Sequence, residues 1–260
     1  MNYQGKAVFI AGGSSGINLG IADAFAAAGA SVAILSRRQE KIDAALAQLR
    51  RHGGKAIGFA ADVRDFDAVA AALADAAAEL GPLDVLVSGA AGNFIAPAEQ
   101  LSSNGFRTVV DIDLQGTFHV MRAAWPHLRK PGASIINISA GQSWLPMPGQ
   151  VHVCAAKAGI DQITRTLAME WGPHGVRINS IAPGPISGTE GMARLAPNEA
   201  SQAAWTRAVP LGRFGTLADI SQAALWLSSP QAAYITGVVL PVDGGLALGG
   251  GRGIHDAMMA

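Results

Sequence analysis

Four glycines, Gly12, Gly13, Gly16 and Gly20, punctuate the run Ala-Gly-Gly-Ser-Ser-Gly-Ile-Asn-Leu-Gly at residues 11–20, between an apolar stretch and an alanine-rich one. Glycines at a strand-to-helix junction let the backbone turn sharply and approach a pyrophosphate, whose charge then rests on the helix N-terminus. A helix-entry turn that needs only positive φ is the plainer alternative, but the place at the first such junction favours a nucleotide. The second apolar stretch ends in Ser36-Arg37-Arg38. A site for NAD usually places a carboxylate there to accept the ribose 2′-hydroxyl, whereas two guanidinium groups suit a 2′-phosphate through bidentate, charge-assisted pairs. NADP is therefore expected, against the alternative of a ligand-free surface pair. Cys154 reads as a small apolar filler. His119, His127 and His174 lack metal-ligand spacing to carboxylates, so no metal site is expected.

The elements that must hold these residues are set by the pattern. Short β-rich runs alternate with helical ones, which predicts βαβ units and a parallel sheet. Strands are expected at Lys6–Ala11, Ser31–Ser36, Lys55–Ala60, Val85–Ser88, Ser134–Ser139, Arg177–Ala182 and about Val238–Val242. Helices are expected up to about Ala28, with Gly29 as a C-cap, and over Glu40–Arg50, Phe66–Leu80, about Ser102–Leu128 and Val151–Trp171. The Gly- and Pro-rich stretch 183–214, about 30 residues without strong periodicity, reads as a functional lid or a disordered segment.

The chain has 260 residues, half of them apolar, with 19 Lys and Arg balancing 19 Asp and Glu. Zero net charge argues against nucleic acid or an acidic membrane as partner, since both demand clustered positive charge. One cysteine excludes a disulfide framework and fits a reducing compartment. There is no run of about 18 apolar residues, no room for a signal peptide before the first strand and no recognised C-terminal address. A soluble, intracellular and cytoplasmic protein is the expectation. The glycine-rich tail after Asp243 fits either a flexible end or a packed one.

The glycine turn, Asp62-Val63 after the third strand, Pro183-Gly184 after the sixth, and Tyr234-Ile-Thr-Gly with Val242-Asp-Gly-Gly together resemble the short-chain dehydrogenase/reductase family over nearly the whole chain. The resemblance implies an α/β fold: one domain over 1–260 with a doubly wound, parallel, seven-stranded Rossmann sheet, a small substrate lid and a homotetrameric assembly. It places NADP against Gly12, Ser14, Ser15, Gly16 and Ile17, with Arg37 and Arg38 at the 2′-phosphate and Asp62, Val63 and Ala90 beside the adenosine. Lys157 would reach the nicotinamide ribose, and Pro183, Gly184, Ile186 and Thr189 the carboxamide.

Two departures carry information. Asn18 stands where the family turn Gly-x-x-x-Gly-x-Gly has its last glycine, so its side chain must find room beside the cofactor. The family's Tyr-x-x-x-Lys is broken, because Val153 precedes Lys157 by four residues and the only tyrosines are Tyr3 and Tyr234. Without the phenol that protonates an alkoxide, ordinary ketone reduction is poorly served. Residues 90–94 (Ala-Ala-Gly-Asn-Phe), Asp111-Ile-Asp113 with Gly116-Thr-Phe118, Gln150-Val-His152 and the run from Ala182 to Gly191 resemble the 2,4-dienoyl-CoA reductases, a group that also lacks this tyrosine.

In a 2,4-dienoyl thioester, hydride adds at C5 and charge delocalises to the thioester oxygen, so the site needs donors for that oxygen and a proton source that reaches carbon. The resemblance assigns catalysis to Asp113 and Lys157, which together hold a water. Asp113, beside an ammonium group, is expected to stay charged and orient that water. For the acyl-CoA substrate the resemblance implies Asn93, Phe94, Ser102, Ser103, Asn104 and Ser139 near the thioester or pantetheine. It places Arg64 and Arg194 near coenzyme A phosphates, while His152 is expected to line the pocket. A reductase of another carbonyl or enoyl substrate and a non-catalytic NADP-binding regulator remain alternatives.

Overall fold

The computed structural model describes residues 1–251 together with Met258, so the far end of the glycine-rich tail lies outside the described residues. Seven strands, β1 (Ala7–Ala11), β2 (Ser31–Ser36), β3 (Ala56–Ala60), β4 (Val85–Ser88), β5 (Ser134–Ile138), β6 (Arg177–Pro183) and β7 (Val239–Val242), form one sheet. Their order is 3-2-1-4-5-6-7 and every pairing is parallel. Strand order reverses between β1 and β4, which opens a crevice at their carboxyl ends. The glycine turn leaves β1 at that point.

Alternation along the strands sends side chains to two cores. Val8, Ile10, Ile34, Ile136 and Ile181 pack under α1 (Gly16–Ala27), α2 (Gln39–Leu49) and, late in the chain, α9 (Leu217–Ser228). Phe9, Leu35, Leu86, Ile135 and Ile178 pack on the opposite face with Leu73 of α3 (Phe66–Leu80), Met121 and Leu167. Strands buried on both faces read as continuous apolar runs, and β1 is buried throughout. Gly29, at φ +93°, comes after α1 as the C-cap pattern requires.

Two expectations are revised. The expected helix 102–128 is α4 (Ser103–Val109), a π-helical segment Val110–Gln115, α5 (Gly116–Ala124) and a 3-10 turn Trp125–His127. Apolar spacing cannot reveal the wider π turn, which rotates α5 relative to α4 without breaking the run. The stretch 183–214 is not devoid of regular structure. It holds α7 (Glu190–Leu195), capped by Thr189, and α8 (Glu199–Ala208), closed by an Asn198–Ser201 capping box. The remaining helix, α6 (Val151–Trp171), starts where expected. Among the described residues, no helix is long and apolar enough to cross a membrane.

Candidate active site

A cavity of about 680 Å³ opens along the carboxyl ends of β1, β2, β4, β5 and β6. Its wall at the end of β1 begins at Gly12, whose φ is +80° and where a Cβ would come 2.9 Å from the Ala90 backbone nitrogen. Only glycine permits that approach. Ser15 caps α1 without a side-chain hydrogen bond, and the first turn carries no acid. The helix's leading N–H groups and positive dipole end are thus available to an anion. Ser14 and Ser36 share a 2.7 Å hydroxyl contact that ties the turn to β2.

Arg37, Arg38, Asp62, Val63, Ile17 and Ala90 line the cavity together with the turn. Lys41, in the first turn of α2, lines it as well. Its Nζ lies 2.9 Å from Glu190 Oε1, so one carboxylate of α7 bridges to α2. The hydrogen bond from Lys41 holds the Glu190 carboxyl below its ordinary range, with Arg194 and Arg38 adding attraction. A glycine turn, the nearby cations Arg37, Arg38 and Lys41 and a helix N-terminus free of acids form a wall that suits an anionic ligand.

Asn18 lines the same cavity, its amide tucked between Gly12 and the end of β4. Its Nδ2 donates to the Gly89 carbonyl at 2.7 Å. A Cβ at Gly89 would fall into the Asn18 amide, so a missing glycine in α1 is balanced by one at the end of β4.

The chemical end is built on α6 and the π segment. Lys157 is almost buried, lines the cavity, donates to the Ile138 carbonyl at 3.2 Å and lies 3.1 Å from Asp113 Oδ2. Asp113 is fully buried, does not itself line the cavity, and accepts the Gly92 N–H on Oδ1 at 2.7 Å. The contact with Lys157 is an ion pair without hydrogen-bond alignment, so Oδ2 retains its capacity to accept. Ser139 lines the cavity with its hydroxyl unpartnered.

No phenol reaches this cluster. Val153 is buried against Val109, Ala156 and Leu114. Tyr3 donates to the Leu225 carbonyl at 2.6 Å, and burial pushes its hydroxyl up to about 12 despite the nearby Ser228 and Arg177. Tyr234 is fully exposed.

His152, the second residue of α6, is wholly buried with its ring 4.4 Å from that of Phe94 and neither nitrogen hydrogen-bonded. Burial depresses its pKa, against the opposing pull of the Phe94 backbone and the Asp113 charge. The ring is therefore neutral, and it supports Phe94 from outside the cavity wall instead of lining the cavity as the sequence suggested.

Over the mouth, Pro183, Gly184, Ile186, Thr189 and Arg194 line the cavity with Met192, Leu195 and Trp205. Several expected substrate contacts fall elsewhere. Arg64 binds Asp62 through its backbone N–H and guanidinium, at 2.6 Å for the closest contact, and this pair holds the Asp62 carboxyl low. Ser102 caps α4 by accepting the Gly105 N–H, and the Asn104 carbonyl accepts from Thr108. Ser102, Ser103, Asn104 and Phe94 are not on the cavity's lining. The sequence reading missed Lys41, Glu190 and Gln142. Lys41 had a signal, one helical turn beyond Arg37 and Arg38; the other two did not.

A family model described as enoyl-(acyl carrier protein) reductase matches residues 11–247. The chain is 45% identical over 256 residues to a peroxisomal 2,4-dienoyl-CoA reductase [(3E)-enoyl-CoA-producing] of Arabidopsis thaliana, covering 94% of this chain and 85% of that one. It is 41% identical to a probable 2,4-dienoyl-CoA reductase [(2E)-enoyl-CoA-producing] of Bacillus subtilis, with 92% and 96% covered. Among solved structures, a putative short-chain alcohol dehydrogenase of Sinorhizobium meliloti superposes with a TM-score of 0.90 at 35% identity, covering 95% and 98% of the two chains. Fold, cavity and kinship agree: the chain belongs to the short-chain dehydrogenase/reductase family.

Proposed function

We propose that the protein is an NADPH-dependent reductase of 2,4-dienoyl-CoA thioesters, acting in unsaturated fatty acid breakdown. The observation that carries this reading is the buried Asp113–Lys157 pair in a site where Val153 has replaced the family phenol. The names of the relatives support the substrate class.

The glycine turn and the α1 N-terminus hold the pyrophosphate, and Arg37 and Arg38, joined by Lys41, take the 2′-phosphate. When bound, the nicotinamide supplies a hydride to C5 of the substrate. The negative charge this creates spreads through C4 and C2 to the thioester oxygen. Ser139, with a free hydroxyl on the cavity wall, donates to that oxygen. Lys157 adds positive charge where charge develops, which lowers the barrier most in a water-poor site. The proton must then reach carbon, a task for a small carrier and not for a fixed phenol. Lys157, on the cavity wall, holds a water for this step, and Asp113 acts from behind the lysine by fixing its ammonium group. Arg194 is the lining cation for a coenzyme A phosphate, since Arg64 is engaged by Asp62. A cytoplasmic homotetramer completes the reading, in keeping with one free cysteine.

The test is NADPH oxidation with 2,4-hexadienoyl-CoA beside ketones and 3-oxoacyl-CoAs. Turnover confined to the dienoyl thioester is expected, with NADH at least tenfold poorer in kcat/KM. Activity on ketones alone would point to another reductase of this fold, and NADPH binding with no turnover to a regulator.

A further inference from the structure

The cavity changes character along the strand order. Its β2 end carries Arg37, Arg38 and Lys41, and its middle, at β4 and β5, holds Asn93, Ser139 and Lys157. Beyond β5 the wall is mainly apolar. Leu145 and Met147 follow β5, Met192 and Leu195 belong to α7, and Leu246 follows β7. The charged residues of that region are engaged with one another or with backbone. Asp243 accepts the Gly245 and Ala247 N–H groups, Glu190 pairs with Lys41, and Arg194 reaches the Asn93 carbonyl.

Trp205 of α8 is the one aromatic side chain on this lining among the described residues. The methionines are unbranched and adapt to whatever fills the space, whereas an indole keeps its shape. The ring is also tied in place, since its Nε1 donates to the Leu195 carbonyl at 3.4 Å. Gln202 Nε2 donates to the neighbouring Ala196 carbonyl at 3.3 Å. Two side chains of α8 thus take up carbonyls that the end of α7 leaves without helical partners. With the Asn198–Ser201 capping box at the turn, the two helices form one plate, and Trp205 is its stiff part.

A thioester that reacts beside Lys157 has two arms. The coenzyme A arm is polar and anionic, and burying it against leucine and methionine is costly. The acyl tail gains from the same wall: each methylene buried there is worth about fourfold in kcat/KM, the equivalent of ~0.8 kcal/mol.

We infer that the acyl tail lies beneath α7 and α8 and that Trp205 sets the length of tail the site accepts. The assignment rests on the dienoyl-CoA reading and adds a chain-length preference to it, with short tails favoured because longer ones meet the indole.

The experiment uses the full chain with saturating NADPH and compares 2,4-hexadienoyl-CoA with 2,4-dodecadienoyl-CoA. The quantity read is the ratio of their kcat/KM values. Trp205→Ala should raise the ratio of the longer to the shorter substrate at least tenfold, about the gain from two further buried methylenes. A tryptophan that only held the lid together would, when removed, lower both values by one factor and leave the ratio in place. Trp205→Phe, a smaller ring at the same point, should give an intermediate ratio, at least threefold above the parent. A smaller rise in Trp205→Ala, or in Trp205→Phe should the alanine variant not fold, overturns the assignment while leaving the dienoyl-CoA reading intact. A parent enzyme that turns over neither thioester overturns both.

Discussion

A buried aspartate serves each end of β4, and the two differ in what they leave unused. Asp84, just before the strand, receives Lys6 at 3.0 Å, Arg129 at 2.6 Å and the Ala7 N–H at 3.0 Å. Both its oxygens are satisfied, and its cations are about half exposed. Asp113, meeting the segment just after the strand, has one hydrogen bond, one almost buried cation and an oxygen still able to accept. A saturated carboxylate at the amino end of a strand fastens structure. An undersaturated one at the carboxyl end, where parallel sheets place their ligand crevice, is held ready for chemistry.

The two aspartates should separate most clearly through the cation of the second, Lys157. Lys157→Met should lower kcat on dienoyl-CoA by about 10³-fold, within the range for loss of a positioned acid–base group. It also strands the Asp113 charge in the interior, which costs about 3–5 kcal/mol of stability. Asp113→Asn separates the two effects. Turnover should drop by about 10²-fold per folded molecule, while NADPH affinity, read by fluorescence titration, stays within a few-fold because the residue is behind the cofactor wall. Full activity in Asp113→Asn would remove the difference between the two aspartates.

The matching change at the other end should do the reverse. Asp84→Asn is expected to cost about 1–3 kcal/mol, from unpairing the Ala7 N–H and weakening two half-exposed ion pairs. kcat at a temperature where the variant is folded should be unchanged. The pH dependence comes from the carboxyl's environment. Burial pulls the Asp84 pKa up, but Arg129, the Ala7 N–H and Lys6 together outweigh it, so the folded value is depressed. The stabilisation is therefore complete above the unfolded carboxylate pKa of about 3.9 and lost as pH falls through the lower folded value. Thermal melts of parent and variant should converge over that acid range. Melts that stay equally separated from pH 7 down to pH 2 would refute the assignment.

Much of this arrangement was legible in the chain. Strict alternation of apolar strands and helical runs carries the sheet, and the glycine turn with Arg37 and Arg38 carries the cofactor wall. The hidden part depends on contacts distant in sequence or on backbone geometry with no pattern of its own. The π segment that presents Asp113 has the same apolar spacing as an ordinary helix. That the Asn18 amide is held by the Gly89 carbonyl, 71 residues away, has no signal in the sequence. Arg64 and Asp62 are near neighbours in sequence, yet the exposed arginine reads as free for coenzyme A because pairing cannot be seen in composition.

The smallest effect is expected where the two halves of the cavity meet at the surface. Glu190 of α7 lies 2.9 Å from Lys41 and 3.6 Å from Arg194, and Arg194 reaches the Asn93 carbonyl at 3.5 Å. The sequence of contacts connects the start of α2 to the loop after β4, but its members are largely exposed, and exposed pairs contribute little and are screened by salt. If the 2′-phosphate competes with Glu190 for Lys41, removing the carboxylate frees the lysine for the cofactor. Glu190→Gln should then lower the KM for NADPH by two- to threefold at low ionic strength, with the difference fading as salt approaches about 0.5 M and the Debye length shrinks to a few ångströms. The KM for NADH, which has no 2′-phosphate, should not move. A rise in KM for NADPH would mean that Glu190 holds Lys41 in place for the cofactor and does not compete with it, and the bridge would then belong with Asp84 as a structural fastening.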